Sequence, residues 1–215
     1  ALLANNKAWM SLKFKCTSKL KIQKQPTFEF SEYSIVSNLY WGIEAIDAAT
    51  RAKGEEERTS RLQNSEKMLQ VPASLHEQGF TSGIPNEYLI CCSYFYLSVV
   101  RKLQRDDWQA ALHFLQALLV SPRLVRDEFA PELCQSIMHM YIRHKRQERP
   151  GSRLSKSATV IDLDEDQANE IMGWMAKEYK AWLLYYQIMS NGEHDTKHLA
   201  SIGNAVPDDK SKYIM

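Results

Sequence analysis

The sequence predicts an all-α domain, an irregular arrangement of about six to eight helices, and three observations predict it. Apolar residues recur at helical spacing, as in Ile35, Leu39, Ile43 and Ile46, whose offsets of 4, 8 and 11 put them on one helix face. Proline and glycine punctuate the chain between such segments, at Pro26, Gly54, Gly79, Gly83, Pro85, Pro122 and the Pro150-Gly151 pair. No segment alternates apolar and polar residues with period two between hairpin-turn signals, so no strand is expected.

At 215 residues and 44% hydrophobic, the chain can bury one sizeable core. We therefore expect a basic N-terminal segment over 1–30, a single helical domain over 31–191 with a basic/acidic linker at about 143–166, and a flexible tail over 192–215. The chain starts at Ala1 without a methionine or a signal-peptide pattern, which reads as a fragment of a longer protein. The longest apolar run, 88–100, is broken by Ser93 and Ser98 and is shorter than the roughly 20 residues a bilayer requires.

Six lysines and no acid fall in 1–24, with Trp9, Leu12 and Phe14 among them, so this segment reads as a terminal helix that packs its apolar side on the core. Ser31 can cap the next helix, which stops near Gly54. A third helix starts near Glu56 and carries Leu62, Met68, Leu69 and Leu75; Pro72 should kink it or end it early. Residues 86–104 have almost no polar face and need cover on several sides. The turn "QRDD" leads back into "DDWQAALHFLQALLVSP" (106–122), whose Trp108, Ala111, Leu112, Leu115 and Leu119 share a stripe, so the two helices pair as a hairpin. Helices over about 130–143 and 164–190 follow. The last places Ile171, Met175, Trp182, Tyr185 and Met189 on its buried stripe. The core is expected to centre on Tyr94, Phe95, Leu112 and Leu115.

The hairpin resembles a tetratricopeptide unit in Trp108, Ala111 and Leu115, but no second copy recurs at a 34-residue period. A wider resemblance lies in "YSIVSNLYWGIEAID" (33–47), "RLQNSEKMLQV" (61–71), "GIPNEYL" (83–89) and "DEFAPELC" (127–134). In order and spacing these are similar to the N-terminal helical region of plant LIN/CERBERUS-type E3 ubiquitin-protein ligases. That resemblance implies a piece of a ubiquitin ligase, in which a U-box that recruits the charged E2 lies elsewhere. Nothing in this chain corresponds to the U-box, and the segments 1–24 and 143–166 fall outside the resemblance.

The sequence offers no G-x-S-x-G elbow, no P-loop and no H-E-x-x-H, so no catalytic residue, metal or cofactor is expected and the chain is read as non-enzymatic. Cys134, His139 and His144 do not converge, because steps of five rotate each by about 140° from the last. His194 and His198 share a four-residue spacing but lack a third ligand. Cys16, Cys91, Cys92 and Cys134 follow no zinc or disulfide spacing and read as reduced thiols of an intracellular protein, cytoplasmic or nuclear.

Two motifs suggest partners. In "VIDLDED", Val160, Ile161 and Leu163 followed by Asp164, Glu165 and Asp166 resemble a SUMO-interacting motif, which adds as a strand to a sheet edge. Asp162 or Asp164 can instead cap the last helix, with Asp164, Glu165 and Asp166 favouring its positive end. The basic patch Arg143, Lys145, Arg146, Arg149, Arg153 and Lys156 can grip RNA or an anionic membrane, though no aromatics interleave it. A net charge of +1 argues against nucleic-acid coating. The stripe Trp174, Tyr179, Trp182, Tyr185 and Tyr186 reads as core packing or a self-association face. The leading expectation is a helical scaffold that docks other proteins or itself; a SUMO-binding adaptor and an RNA or membrane binder are the alternatives.

Overall fold

The computed structural model describes residues 5–20, 30–148 and 164–203, with side chains in 5–20, 32–144 and 164–187. Eight helices are present among them: α1 (Asn6–Lys19), α2 (Phe30–Thr50), α3 (Glu55–Ala73), α4 (Asn86–Leu103), α5 (Asp107–Val120), the single turn α6 (Pro122–Leu124), α7 (Pro131–Glu148) and α8 (Glu165–Gly203). The fold is all-α; against the expectation of no strand, the described residues include one short antiparallel hairpin, β1 (Phe80–Thr81) with β2 (Ile84–Pro85).

Helices α2 to α5 form a continuous layer of antiparallel neighbours, α2 on α3, α3 on α4 and α4 on α5, and α8 packs on the far side of α5. Short connections enforce this order. Residues 51–54 return α2 into α3, whose first turn holds Glu55, Glu56 and Glu57 at the positive end of the helix dipole. Pro72 falls in the last turn of α3 and the helix ends at Ala73, as its missing N–H dictates. Three residues join α4 to α5, where Asp106 caps α5 by accepting from Gln109 N at 3.1 Å.

The β-hairpin positions the start of α4. Ser82 and Gly83 carry φ of 51° and 75°, the paired left-handed geometry of a two-residue hairpin turn. Asn86 then accepts from Thr81 Oγ1 at 2.7 Å and donates to His76 O at 2.9 Å. Ser82 N donates to Glu32 at 3.0 Å, which ties the loop to α2.

Close approach of α2 and α3 depends on Gly42. A Cβ there would stand 2.9 Å from Leu69 Cγ, and Gly42 O accepts from buried Ser65 Oγ at 2.8 Å. Alanine at this position forces Leu69 aside within a packed core; thermal or urea denaturation of Gly42→Ala is expected to show a loss of about 1 to 3 kcal/mol.

Tyr96, Leu97 and Leu89 of α4 lie at the centre with Leu39, Ile43 and Ile46 of α2, Leu69 of α3, Leu118 of α5 and Met172 and Met175 of α8. This shifts the expected centre by part of a turn on both hairpin helices. Phe95 and Leu115 are buried as expected, but Tyr94 and Leu112 are only half-buried. The Tyr94 ring stacks on His113 across the hairpin, centroids 6.0 Å apart, while Leu112 lies on the stripe of Trp108 that faces α8. An almost wholly apolar helix does not reveal which face receives the next layer.

Helix α1 packs its apolar side on the same core. Trp9, Leu12, Cys16 and Leu20 are buried, and the Trp9 ring meets Tyr96 edge-on at 5.9 Å. The last helix does not stop at Ser190 but runs to Gly203. Its expected buried stripe holds for Ile171 and Met175 and fails at Trp182 and Tyr185, which are 57% and 62% exposed. Met189 lies outside the described side chains.

Candidate interaction surfaces

The four cysteines are buried and unbridged. Burial pushes the Cys134 thiol up to about 12 and holds the Cys91 and Cys92 thiols well above their usual range. Thiols kept protonated in the core are poor nucleophiles. Cys134 is buried while His139 and His144 are exposed on the same helix, so the three do not meet. Among the described residues no three His, Cys, Asp or Glu side chains could hold a metal ion. The side chains of His194 and His198 lie outside those described. No described helix is long and apolar enough to cross a membrane.

Among the described lysines of the first segment, Lys13, Lys15 and Lys19 are engaged within the chain. Lys13 is held by Glu44 at 2.9 Å and Asp47 at 2.7 Å, and Lys19 bonds Glu128 at 2.7 Å while its ammonium covers the Tyr88 ring at 4.7 Å. Lys15 stands 3.8 Å from the same Glu128. These contacts clamp α1 on α2 and on the π-helical turn Val125–Phe129 that leads from α6 towards α7. Of the expected basic patch, Arg143 is exposed on α7; the side chains of Lys145 and Arg146, and Arg149, Arg153 and Lys156 entirely, lie outside the described residues.

Val160, Ile161 and Leu163 likewise lie outside them, and the described acids have local roles. Asp164 accepts from Gln167 N at 2.8 Å and so caps α8. Glu165 receives Arg126, whose guanidinium reaches its carbonyl at 3.1 Å and its carboxylate at 3.5 Å. Asp166 is exposed in the first turn, where the helix dipole favours it.

A groove of about 1040 Å³ opens between α1, the α4–α5 hairpin and α7. Its floor is a stripe of α4, Phe95, Ser98, Val99 and Lys102, with Ala110 and Phe114 of α5 beside it. One wall is a parallel stripe along α1, Asn5, Ala8, Leu12 and Lys15; the other is formed by Phe129, Ala130 and the first turns of α7, including Glu132, Leu133 and Ser136. Sequence reasoning assigned Phe95 and the apolar side of the first segment, with Leu12, to the core and did not see that they border a groove. The available signal was the pair Ser98 and Lys102, polar residues one turn apart on one stripe of a mostly apolar helix.

The second surface is the exposed flank of α8. Trp174, Trp182, Tyr185 and Tyr186 are each more than half exposed. Trp182 stacks on Tyr186 at 5.6 Å, and Trp108 of α5 reaches the same ring at 5.9 Å, so the aromatic patch is anchored to the body at one edge. Tyr141 of α7 donates to Glu178 at 3.0 Å and bounds the patch at the other.

A family model described as "E3 ubiquitin-protein ligase LIN-like, ARM repeat" matches residues 2–183, which takes in α1, the whole groove and most of the side-chain-described part of α8. The chain belongs to this LIN-like ARM-repeat family. The match extends to the N-terminal segment and the 143–166 linker, beyond the four phrases that first suggested it. "Putative E3 ubiquitin-protein ligase LIN" of Medicago truncatula is 34% identical over 140 residues, and "Putative E3 ubiquitin-protein ligase LIN-1" of Lotus japonicus shows the same identity and length. The matched stretch is 63% of this chain and 9% of each relative. No solved structure matches the chain. As part of the LIN-like ARM-repeat region, the helical layer is a scaffold of the kind that carries protein interactions.

Proposed function

We propose that this region is the non-enzymatic docking module of a LIN-type ubiquitin ligase, and that its groove receives an amphipathic helix of a partner protein. The observation that carries the reading is the shape and chemistry of the groove. The floor and most of the lining lie on helices and no strand edge borders the groove, so an extended peptide would find no edge to pair with and would desolvate its own amides on Phe95, Val99 and Phe114. A helix brings no such cost. Ala8, Ala110, Ala130, Ser98 and Ser136 keep the walls low enough for another helix to approach. The α4 stripe from Phe95 to Lys102 spans about 10 Å, two helical turns, which selects apolar residues at i, i+3 or i+4 and i+7. Glu132 on one side favours a basic residue on the flank of the occupant, whereas Glu128 is already held by Lys19 and Lys102 by Asp107 at 2.6 Å.

Selection of helical and extended peptides from a random display library against the 215-residue chain tests this. Enriched sequences are expected to carry the i, i+3/4, i+7 pattern, and to lose at least tenfold in affinity for Leu133→Lys, at an exposed position of the groove wall, a change of about 1.4 kcal/mol or more. Enrichment of extended sequences, or binding indifferent to Leu133→Lys, contradicts the reading. Incubated with E1, E2 and ubiquitin, the chain is expected to form no thioester and no conjugates, since all four thiols are buried and burial holds those of Cys91, Cys92 and Cys134 protonated. A reducible ubiquitin adduct on Cys91 or Cys134 contradicts the non-enzymatic part.

A further inference from the structure

We infer that Cys16 and Cys92 form an oxidation site, at which a peroxide converts two facing thiols into a disulfide that staples α1 to α4. The geometry begins with how the two helices meet. On α1, Trp9 and Cys16 lie two turns apart on one face, and Lys19 follows about a turn later. On α4, Tyr88, Cys92 and Tyr96 recur at every fourth residue along one stripe. The Trp9 ring meets Tyr96 at 5.9 Å and the Lys19 ammonium covers the Tyr88 ring at 4.7 Å, so the helices run antiparallel and these two contacts bracket the cysteines. Cys16 and Cys92 therefore face each other between them, 1% and 0% exposed. The other two thiols are directed elsewhere. Cys91, about 100° round α4 from Cys92, donates to Ala117 O of α5 at 3.4 Å, and Cys134 is buried on α7.

The pair separates the roles of its two sulfurs. Cys92 donates to the Cys16 sulfur, and that bond lowers the Cys16 pKa below the usual thiol range against the opposing effect of burial. Burial and the same bond hold Cys92 protonated. The Tyr88 and Tyr96 hydroxyls, buried without a hydrogen-bond partner of their own, lie near enough to favour charge on Cys16 as well. One thiol is thus disposed to ionise and attack, and the other keeps a proton to give up later.

The chemistry balances with hydrogen peroxide as the oxidant. The Cys16 thiolate attacks one peroxide oxygen, the O–O bond breaks, and Cys16 becomes a sulfenic acid; the hydroxide released takes up the proton that Cys16 lost and leaves as water. The Cys92 thiol then attacks the sulfenic sulfur. The S–O bond breaks, its hydroxyl leaves with the Cys92 proton as a second water, and the S–S bond forms, so two thiols have passed two electrons to the peroxide. Peroxide is small enough to reach Cys16 when α1 loosens locally, whereas ubiquitin is not, so the site agrees with a chain that forms no ubiquitin thioester. Closing the bond suppresses that loosening. It also fixes the wall that α1 gives to the groove, whatever occupies it.

Peptide mapping of the 215-residue chain tests the inference: the folded chain is treated with hydrogen peroxide, unfolded, blocked with N-ethylmaleimide and digested without reduction. One crosslink within the chain is expected, between the peptides that carry Cys16 and Cys92, with Cys91 and Cys134 blocked, and dithiothreitol should reverse it. Amide exchange along α1 should slow about tenfold or more in the oxidised chain, because a staple across a long loop suppresses local opening. The map is read on the unsubstituted chain, so it does not depend on a variant that folds. Recovery of all four thiols blocked overturns the inference. So does a bond between two copies or through Cys91 or Cys134, or a Cys16 that proceeds to sulfinic acid while Cys92 stays free.

Discussion

Replacing Leu118 by alanine is expected to destabilise the domain by about 2 to 5 kcal/mol, while the same change at Leu112 costs less than half as much. Both leucines lie on α5 and both look like core in the sequence. Leu118 is fully buried between the hairpin and its neighbours, so alanine leaves a cavity that helices on several sides cannot close. Leu112 is half-buried on the side of α8, where solvent already reaches and a shorter side chain leaves little void. Chemical denaturation of the two variants distinguishes the observed core from the one the stripe suggested. Equal losses would mean that α5 is rotated from the orientation described.

Replacing Asp47 by alanine should cost about 2 to 3 kcal/mol, less than the 3 to 5 of a sealed ion pair because Lys13 keeps Glu44. Asp47 is buried to 5% exposure and receives Lys13 Nζ at 2.7 Å, Arg51 at 2.7 Å and Trp9 Nε1 at 3.4 Å. Burial alone would raise its pKa; the bond and charge of Lys13, with Trp9 and Arg51, outweigh that and hold it below the usual carboxylate range. Burial likewise opposes the charge on Lys13, but Asp47 and Glu44 together raise its pKa. The pH dependence follows from these directions. Asp47 contributes stability above its unfolded pKa of about 4 and loses it as pH falls through the depressed folded value. Lys13 contributes fully below its unfolded pKa of about 10.4 and loses its contribution as pH rises through the elevated folded value. Docking of α1 is therefore strongest between about pH 4 and 10, and the hydrogen-exchange protection factors of residues 9–16 should be the first to fall in acid. In Asp47→Ala the acid limb of that profile should flatten. An unchanged acid limb would remove Asp47 from the clamp.

Fold class, hairpin pairing and the end of α3 were legible because each has a local cause: apolar spacing, a short polar turn, a proline. Asp164 was also legible as a cap, since a cap is decided within three residues. What lay hidden depends on distant packing. Tyr94 and Tyr96 are both aromatic members of an apolar helix, and only the position of α1, fixed by Lys13, Lys15 and Lys19 on acids of α2 and the π-helical turn, decides which is central. Trp182 and Tyr185 continue the periodicity of Ile171 and Met175, but periodicity cannot reveal that α8 runs beyond the helices that cover its first turns. The groove was least legible of all, because its lining comes from five separate segments and consists mostly of alanine, serine and single apolar residues.

A helical partner is expected in the groove between α1, α4 and α7. Alanine-methyl chemical shifts of the 215-residue chain, followed as a library-selected amphipathic peptide is added, would show it there. Ala8, Ala110 and Ala130 line the groove on three different segments, and Ala181 reports on the flank of α8. Groove occupancy predicts that the first three methyls shift together with one saturation curve while Ala181 keeps its position at constant protein concentration. Shifts confined to Ala181, or none at Ala8, Ala110 and Ala130 when the peptide is bound, would contradict it.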